Sequence, residues 1–392
     1  MGETDLLQAA GEIMREFARD TGLTSDAPPR RYLWTDAFAV CNCLGLYEAT
    51  GDGTWRELAV AVIDQVHRVL GRHRPDDPRT GWISGLSEKE GARRPTAGGL
   101  RIGKPLAERG PDERWDPGAE WDRDGQYFHY LTKWMHALAR AWSVTGESRF
   151  HEQALDLALA AHRGFVRDPG AGSVASPLAP MSWKMSVDLS RPLVSSMGHH
   201  DPLDGHITLR ILRATSPDGA RTGSDPLDAA ITDFRDLCDG MHWATDDSLG
   251  IGGLLTDAWR LGWLAAREST ADQDLARAVV RDAAVSLSEL ERTGGIGGPA
   301  AARLPFRELG LAIGLAAPPR LARAVAARGA AAARDADLET LLAHAPLGDR
   351  IRAFWLHPGH REASTWTEHL DINRVMLATS LAPDGFLEIA PA

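Results

Sequence analysis

The chain has 392 residues, 43% of them hydrophobic and 25% charged, with a net charge of −11. That composition is ordinary for a water-soluble globular protein. A negative balance without a basic run excludes the Lys/Arg surface that nucleic-acid phosphates demand, and three cysteines, Cys41, Cys43 and Cys238, cannot build a disulfide framework.

The first candidate element, residues 4–20, is an amphipathic helix. The preceding Met1-Gly2-Glu3-Thr4-Asp5 lacks the basic-then-apolar run of a secretion signal, so a cytoplasmic location is the expectation. No stretch approaches the roughly 18 apolar residues needed to cross a bilayer, so no membrane partner is expected.

Residues 35–49 run Ala37, Phe38, Ala39, Val40, Cys41, Cys43, Leu44, Leu46, Tyr47 with little polar face. A helix apolar on all sides is buried on all sides, and Cys41-Asn42-Cys43 within it reads as packing. Residues 54–70 instead place Trp55, Leu58, Ala59, Val62, Val66 and Val69 opposite Arg56, Glu57, Asp64, Gln65 and Arg68, the pattern of a surface helix. The pair recurs. Residues 125–143 carry Tyr127, Phe128, Tyr130, Leu131, Trp134, Met135, Leu138 and Trp142 all round, and 147–166 are amphipathic again.

The joints match too. Thr50-Gly51-Asp52-Gly53-Thr54-Trp55 and Thr145-Gly146-Glu147-Ser148-Arg149-Phe150 share Thr-Gly-acid-x-x-aromatic. Glycine ends one helix in the left-handed conformation, and the acid favours the start of the next. Further buried candidates are 203–214, 252–266, 304–316 and 367–381. Surface candidates are 226–240, 272–292 and 319–345, the last broken near Gly329. No convincing alternating strand appears, although short hairpins in loops are compatible with the pattern. Long loops at 72–120, 167–200 and 346–365 all fall before buried helices, and long loops in a compact domain are usually functional. Inner helices are expected to begin near Thr35, Asp122, Asp201, Thr256, Leu304 and Thr367.

Alternating inner and outer helices, Thr-Gly-acid joints, and Trp/acid-rich starts of inner helices resemble the six-hairpin glycosidase-like superfamily, the (α/α)6 toroids. The resemblance covers nearly the whole chain and is architectural. It implies an all-α (α/α)6 barrel in which residues 1–392 form one catalytic domain. It further implies a funnel-shaped carbohydrate site at the inner-helix N-termini, worked by Asp or Glu. The superfamily also includes sugar 2-epimerases of the N-acylglucosamine type that use histidines, and polysaccharide lyases.

The richest segment is Glu120-Trp121-Asp122-Arg123-Asp124-Gly125-Gln126-Tyr127-Phe128-His129. A charged N-cap explains one of its Asp residues. It explains less well why Asp122, Asp124, Gln126 and His129 gather beside Trp121. Gly198-His199-His200-Asp201-Pro202-Leu203-Asp204-Gly205-His206 opens the third inner helix. Its histidine spacing completes no recognised zinc pattern, so substrate binding or proton transfer by His199, His200, Asp201, Asp204 and His206 is expected rather than metal, and no cofactor is expected.

Trp183-Lys184 could hold an anionic sugar such as a uronic acid, or Trp183 could simply pin its loop. Trp34-Thr35-Asp36 and Trp366-Thr367-Glu368-His369 open the first and last inner helices, with Trp259 on the fourth. Buried Asp371 and Asn373 would need polar partners. Arg101-Ile102-Gly103-Lys104-Pro105 lacks phosphate-loop spacing and reads as rim or lid. Asp246-Asp247 lacks a second metal motif.

The favoured expectation is glycoside hydrolysis by two carboxylates, Asp124 and Asp201. In it Trp34, Asp36, Trp121, Asp122, Gln126, Tyr127, His129, Trp183, Lys184, Trp366 and Glu368 surround an oligosaccharide, and His200 acts beside Asp201. Alternatives are epimerisation by histidine, uronate elimination, and a non-catalytic carbohydrate-binding toroid.

Overall fold

The computed structural model describes residues 2–166, 180–216, 226–267, 272–327 and 335–389. Its principal helices in chain order are α1 (Glu3–Asp20), α2 (Leu33–Thr50), α3 (Gly53–Leu70), α4 (Phe128–Thr145), α5 (Ser148–Phe165), α6 (Asp201–Ala214) and α7 (Pro226–Leu237). They continue as α8 (Ser248–Ala265), α9 (Gln273–Arg292), α10 (Pro305–Gly314), α11 (Pro318–Ala327), α12 (Ala336–Ala343), α13 (Pro346–Leu356) and α14 (Leu370–Leu381). The fold is all-α, and buried helices alternate with amphipathic ones as the apolar patterning requires. The chain divides into two compact units, Ala18–Asp239 and Gly240–Ile389, the second joined by the start of α1 up to Phe17.

In the first unit α2, α4 and α6 are the inner helices, each packed against its outer partner α3, α5 or α7. Every residue of α2 from Leu33 to Leu44 is buried, as is every residue of α6 from Asp201 to Leu212. The Trp134 indole of α4 donates to His67 Nε2 of α3 at 3.1 Å. Burial pushes that imidazole down to about 3, so it stays a neutral acceptor. Phe128 packs against Phe165 of α5 and Phe234 of α7 at 5.4 and 5.2 Å between ring centres.

The Thr-Gly joints are built alike. Gly51 and Gly146 both sit at φ 71°, and their N–H groups return to Tyr47 and Trp142 carbonyls. The Thr50 and Thr145 hydroxyls donate back to Leu46 O and Ala141 O, at 2.6 and 2.7 Å. The same hydroxyls accept from Asp52 N and Glu147 N, both at 3.2 Å.

In the second unit α8 packs on α9, α10 and α11, and α10 on α13 and α14. Arg374 of α14 reaches Glu16 of α1 at 3.3 Å. The α8–α10 crossing is close because glycines line it. A Cβ on Gly252 would come within 2.2 Å of Gly310 O, and one on Gly314 within 2.4 Å of Gly252 O. Both obstacles are backbone and cannot swing aside. Gly252→Ala is therefore expected to destabilise the protein by roughly 1–3 kcal/mol or more. Urea unfolding would check it, and an unchanged midpoint would refute the steric account.

Several boundaries differ from the sequence expectation. Inner helix α4 begins at Phe128, not Asp122. A short helix, Pro117–Asp122, and a two-residue strand, β1 (Gln126–Tyr127), precede it. That strand pairs antiparallel with β2 (Lys184–Met185). Inner helix α8 begins eight residues before Thr256, because Asp247 caps it by accepting from Gly250 N at 3.0 Å. Arg307 also pairs with Asp247, so this acid is a structural cap.

The 346–365 stretch is not a loop but α13 followed by a 3-10 turn, Pro358–Glu362. Buried Ile351 and Trp355 anchor α13. The break expected near Gly329 lies outside the described residues. Taken as one stretch, Pro305–Ala327 reaches a mean hydropathy of 1.2, long and apolar enough to cross a membrane by composition, contrary to the run-length expectation. In the fold it turns at residues 315–317 between α10 and α11, and Leu309, Leu311 and Ile313 belong to the core.

Candidate active site

The N-termini of α2, α4 and α6 bring one group of side chains together. Asp201 opens α6 and Asp204 lies one turn on, both buried. Asp204 Oδ2 accepts from Lys133 Nζ at 2.5 Å and from Thr132 Oγ1 at 2.7 Å, both from α4. Both bonds end on the same carboxylate oxygen, and the one from Lys133 is an ion pair. Asp201 is treated differently. Its Oδ1 lies 3.7 Å from His129 Nδ1, and its buried Oδ2 finds no hydrogen-bond partner among the described residues. Burial, reinforced by the neighbouring Asp204 charge and opposed by Lys133, pushes the Asp201 carboxyl up to about 8. It is a protonated acid at neutral pH.

His129 shifts the other way. Burial among the rings, then the Lys133 ammonium, push its imidazole down to about 4 against the pull of Asp204, although 35% of the side chain stays exposed. A neutral base therefore stands beside a neutral acid.

Aromatic rings frame the pair. Tyr127 stacks on His129 at 5.6 Å, Tyr130 meets it edge-on at 4.9 Å, and Trp34 approaches at 6.2 Å. Trp183 lies 5.1 Å from Tyr127. It is half-buried, and its indole donates to Ser196 Oγ at 3.0 Å, so it both pins its loop and borders the site. Tyr32 and Tyr130 share a hydroxyl–hydroxyl bond of 2.7 Å. Trp34 Nε1 and Tyr127 Oη are buried without a hydrogen-bond partner among the described residues, as Asp201 Oδ2 is. Three donors or acceptors so placed around one imidazole suit a hydroxyl-rich ligand.

Other expected site residues are committed elsewhere. Asp124 is fully buried. It accepts from Arg101 Nη1 at 2.5 Å and from the backbone of Gly103 and Gly125 at 3.0 and 3.1 Å. It is the anchor of the 101–106 loop and has no free edge for proton transfer, which corrects its expected catalytic role. Asp36 accepts from Arg31 Nη1 and Tyr32 N, at 3.0 and 2.9 Å, and caps α2.

Gln126 clamps two loops, accepting from Leu100 N at 2.9 Å and donating to Gly98 O and Val187 O at 3.0 and 2.6 Å. Gly99 at φ 81° is what lets it in, since a Cβ there would sit 1.9 Å from Gln126 Oε1. Lys184 is fully buried and spent on Glu120 Oε1, Glu120 O and Arg123 O at 2.9, 2.8 and 3.1 Å, so it is not the expected receptor for an acidic sugar. His206 bridges helices, its Nδ1 at 3.2 Å from Ile231 O of α7.

The 72–120 stretch is no loose lid. Arg79 ties Asp77 of that loop to Glu108 and to Asp188 of the next.

His200 is the half-buried N-cap of α6, its ring 4.6 Å from exposed His199. Trp121, 60% exposed, and exposed Asp122 end the short helix before β1. In the second unit Trp366 is buried against Trp355 at 5.7 Å. Glu368 and His369 are exposed, and Trp259 donates to Leu387 O at 2.8 Å, three turns into α8 rather than at its start. Asn373 holds the turn before α14 by donating to Thr365 O and Trp366 O, which supplies the polar partners its burial requires. Among the described residues no three His, Cys, Asp or Glu side chains cluster as a metal site requires.

Sequence reasoning missed Tyr32, Tyr130, Thr132 and Lys133 as neighbours of this group. A lysine one turn after His129, in a helix apolar on most sides, was the readable signal for Lys133.

Among the described residues the class of fold is all-α, with buried helices alternating with amphipathic ones as helical hairpins. No protein-family model matches the chain, and neither does any curated protein. Among solved structures the chain is similar to the unsaturated glucuronyl hydrolase of Bacillus sp. GL1, described as responsible for the degradation of glycosaminoglycan. The two are 15% identical over 73% of this chain and 84% of that one, with a TM-score of 0.30.

Proposed function

We propose that the protein is a carbohydrate-active enzyme that cleaves a glycosidic bond, with Asp201 as the proton donor. The observation that carries this reading is a buried Asp201 carboxyl, held protonated at neutral pH, beside a neutral, partly exposed His129 imidazole framed by aromatic rings. Sugar rings stack on aromatic faces, and their hydroxyls suit the unsatisfied groups of Trp34 and Tyr127. Asp201 protonates the leaving oxygen as the bond to the anomeric carbon breaks. His129 accepts a proton from the water that attacks that carbon. Asp204, paired with Lys133, supplies the fixed negative charge that favours both the protonated Asp201 and the developing oxocarbenium ion.

A second reading has a specific support. The neutral, partly exposed His129 is equally placed to abstract a proton α to a carbonyl, as a sugar epimerase or isomerase requires. The two reactions separate in one experiment on a panel of oligosaccharides and free sugars in deuterated water. Hydrolysis releases new reducing ends without carbon-bound deuterium. Epimerisation incorporates deuterium and releases none.

In the hydrolytic case activity should follow a bell-shaped pH profile. The acid limb reflects protonation of His129, near 4, and the alkaline limb reflects loss of the Asp201 proton, near 8. Activity that keeps rising beyond pH 9 would exclude Asp201 as the donor.

A further inference from the structure

Lys104 is an amine in an unusual position. Its ammonium lies 5.0 Å from the ring centre of Trp121 and 5.5 Å from that of Tyr32, held between the two aromatic faces. Its backbone is fixed, because Lys104 N faces Asp124 Oδ1 at 3.4 Å and its carbonyl accepts from Arg74 Nη1 at 2.7 Å. The side chain is half-buried and has no ion pair or hydrogen bond among the described residues. Asp122 and Asp124 contribute only through space, and Asp124 is already consumed by Arg101. Burial accordingly lowers the basicity of this amine.

Lys104 also stands at the end of a continuous row. Tyr32 packs edge-on against Tyr130 at 5.6 Å, and Tyr130 against His129 at 4.9 Å. At the outer end the Trp121 ring is open to solvent. The row of ring contacts therefore runs from an exposed Trp121, past a partly desolvated cation, to the Asp201–His129 pair.

We propose that the ligand of this site is an acidic saccharide and that Lys104 receives its anionic group, with Trp121 stacking on the ring that carries it. A half-desolvated ammonium flanked by π faces gains more from an anion than an exposed one does, because less water competes for it. The inference rests on the carbohydrate reading above and adds the charge of the substrate. A uronate carboxylate and a sulfate ester would both meet the requirement.

The test is calorimetric titration at low ionic strength with methyl glucuronide, methyl glucoside and glucose 6-sulfate, on wild type, Lys104→Met and Lys104→Arg. Wild type is expected to bind one of the acidic sugars at least about tenfold more tightly than the glucoside. Lys104→Met should abolish that preference, bringing the acidic sugars to the affinity of the glucoside, and Lys104→Arg should restore it. Whichever acidic sugar shows the preference identifies carboxylate or sulfate as the group recognised. Equal affinity for charged and neutral sugars would overturn the proposal and leave the carbohydrate reading standing. Loss of both classes in Lys104→Met, with an unchanged melting temperature, would assign Lys104 a role in shape and overturn it too. Binding of none of the sugars to wild type would overturn both readings.

Discussion

Asp201→Asn is expected to abolish turnover and at the same time to stabilise the folded protein. The activity arm follows from the loss of the only proton the Asp201 carboxyl can donate, while the shape of the side chain is kept. General acid–base catalysis contributes about 10²–10⁴-fold, so a variant retaining more than about a tenth of wild-type turnover would remove Asp201 from the mechanism.

The stability arm follows from proton linkage. The folded-state value, about 8, lies above the ordinary value of an unfolded aspartate. Such a group contributes stability that is fully present below the unfolded pKa and is lost as pH rises through the folded one. Between about pH 4 and pH 8 the unfolded chain releases a proton that the folded protein must keep. Asparagine has no proton to lose. The stability difference between variant and wild type should therefore grow with pH across that window and level off above it. At about 1.4 kcal/mol per pKa unit it should reach the order of a few kcal/mol. Urea unfolding of both proteins at pH 5, 6.5 and 8 reads the difference directly, since other titrating groups cancel. A constant difference across these three points would mean that Asp201 is not held protonated.

Asp124→Ala should do the opposite, destabilising the fold strongly. The carboxylate is fully buried and is the counterion of Arg101. The Arg101 guanidinium is itself buried, and its other N–H groups donate to Arg72 O and Val69 O, both at 2.7 Å. Removing Asp124 leaves that cation uncompensated in the interior, which typically costs about 3–5 kcal/mol. Replacing Arg101 by Met in the same molecule should recover much of the loss, because the stranded charge is then gone. A loss under about 1 kcal/mol in chemical unfolding of the single variant would show that the ion pair holds little together.

These two carboxylates also mark how far the sequence could be read. The inner and outer helices were legible from apolar periodicity, and the α2–α3 and α4–α5 turns from their shared Thr-Gly-acid motif. The concentration of Trp, His and acid residues at the helix N-termini was legible too, and it pointed to the candidate site. Which acid would stay chemically active was not. Asp124 and Asp36 look as reactive as Asp201 in sequence, and their fate is decided by Arg101 and Arg31, which arrive from loops. Spacing within a helix gives its faces but says nothing of what a loop brings to them. Lys184 failed for the same reason, since its partner Glu120 is joined to it only by the fold. The Lys133–Asp204 pair was hidden in the distance between two separate helices.

The two Thr-Gly joints carry a consequence for how the chain assembles. Each reverses the chain within a window of a few residues, with the threonine hydroxyl, the left-handed glycine and the following acid satisfying one another's backbone groups. Contacts of such short sequence separation form against little loop-closure entropy, so they belong among the earliest in folding. The loops around the candidate site are stitched by another kind of contact. Gln126 reaches Val187 across 61 residues, and Arg79 reaches Asp188 across 109. Helical hairpins of the first unit can thus turn back on themselves before the loops around the candidate site are in place, and that site is expected to be completed late in folding.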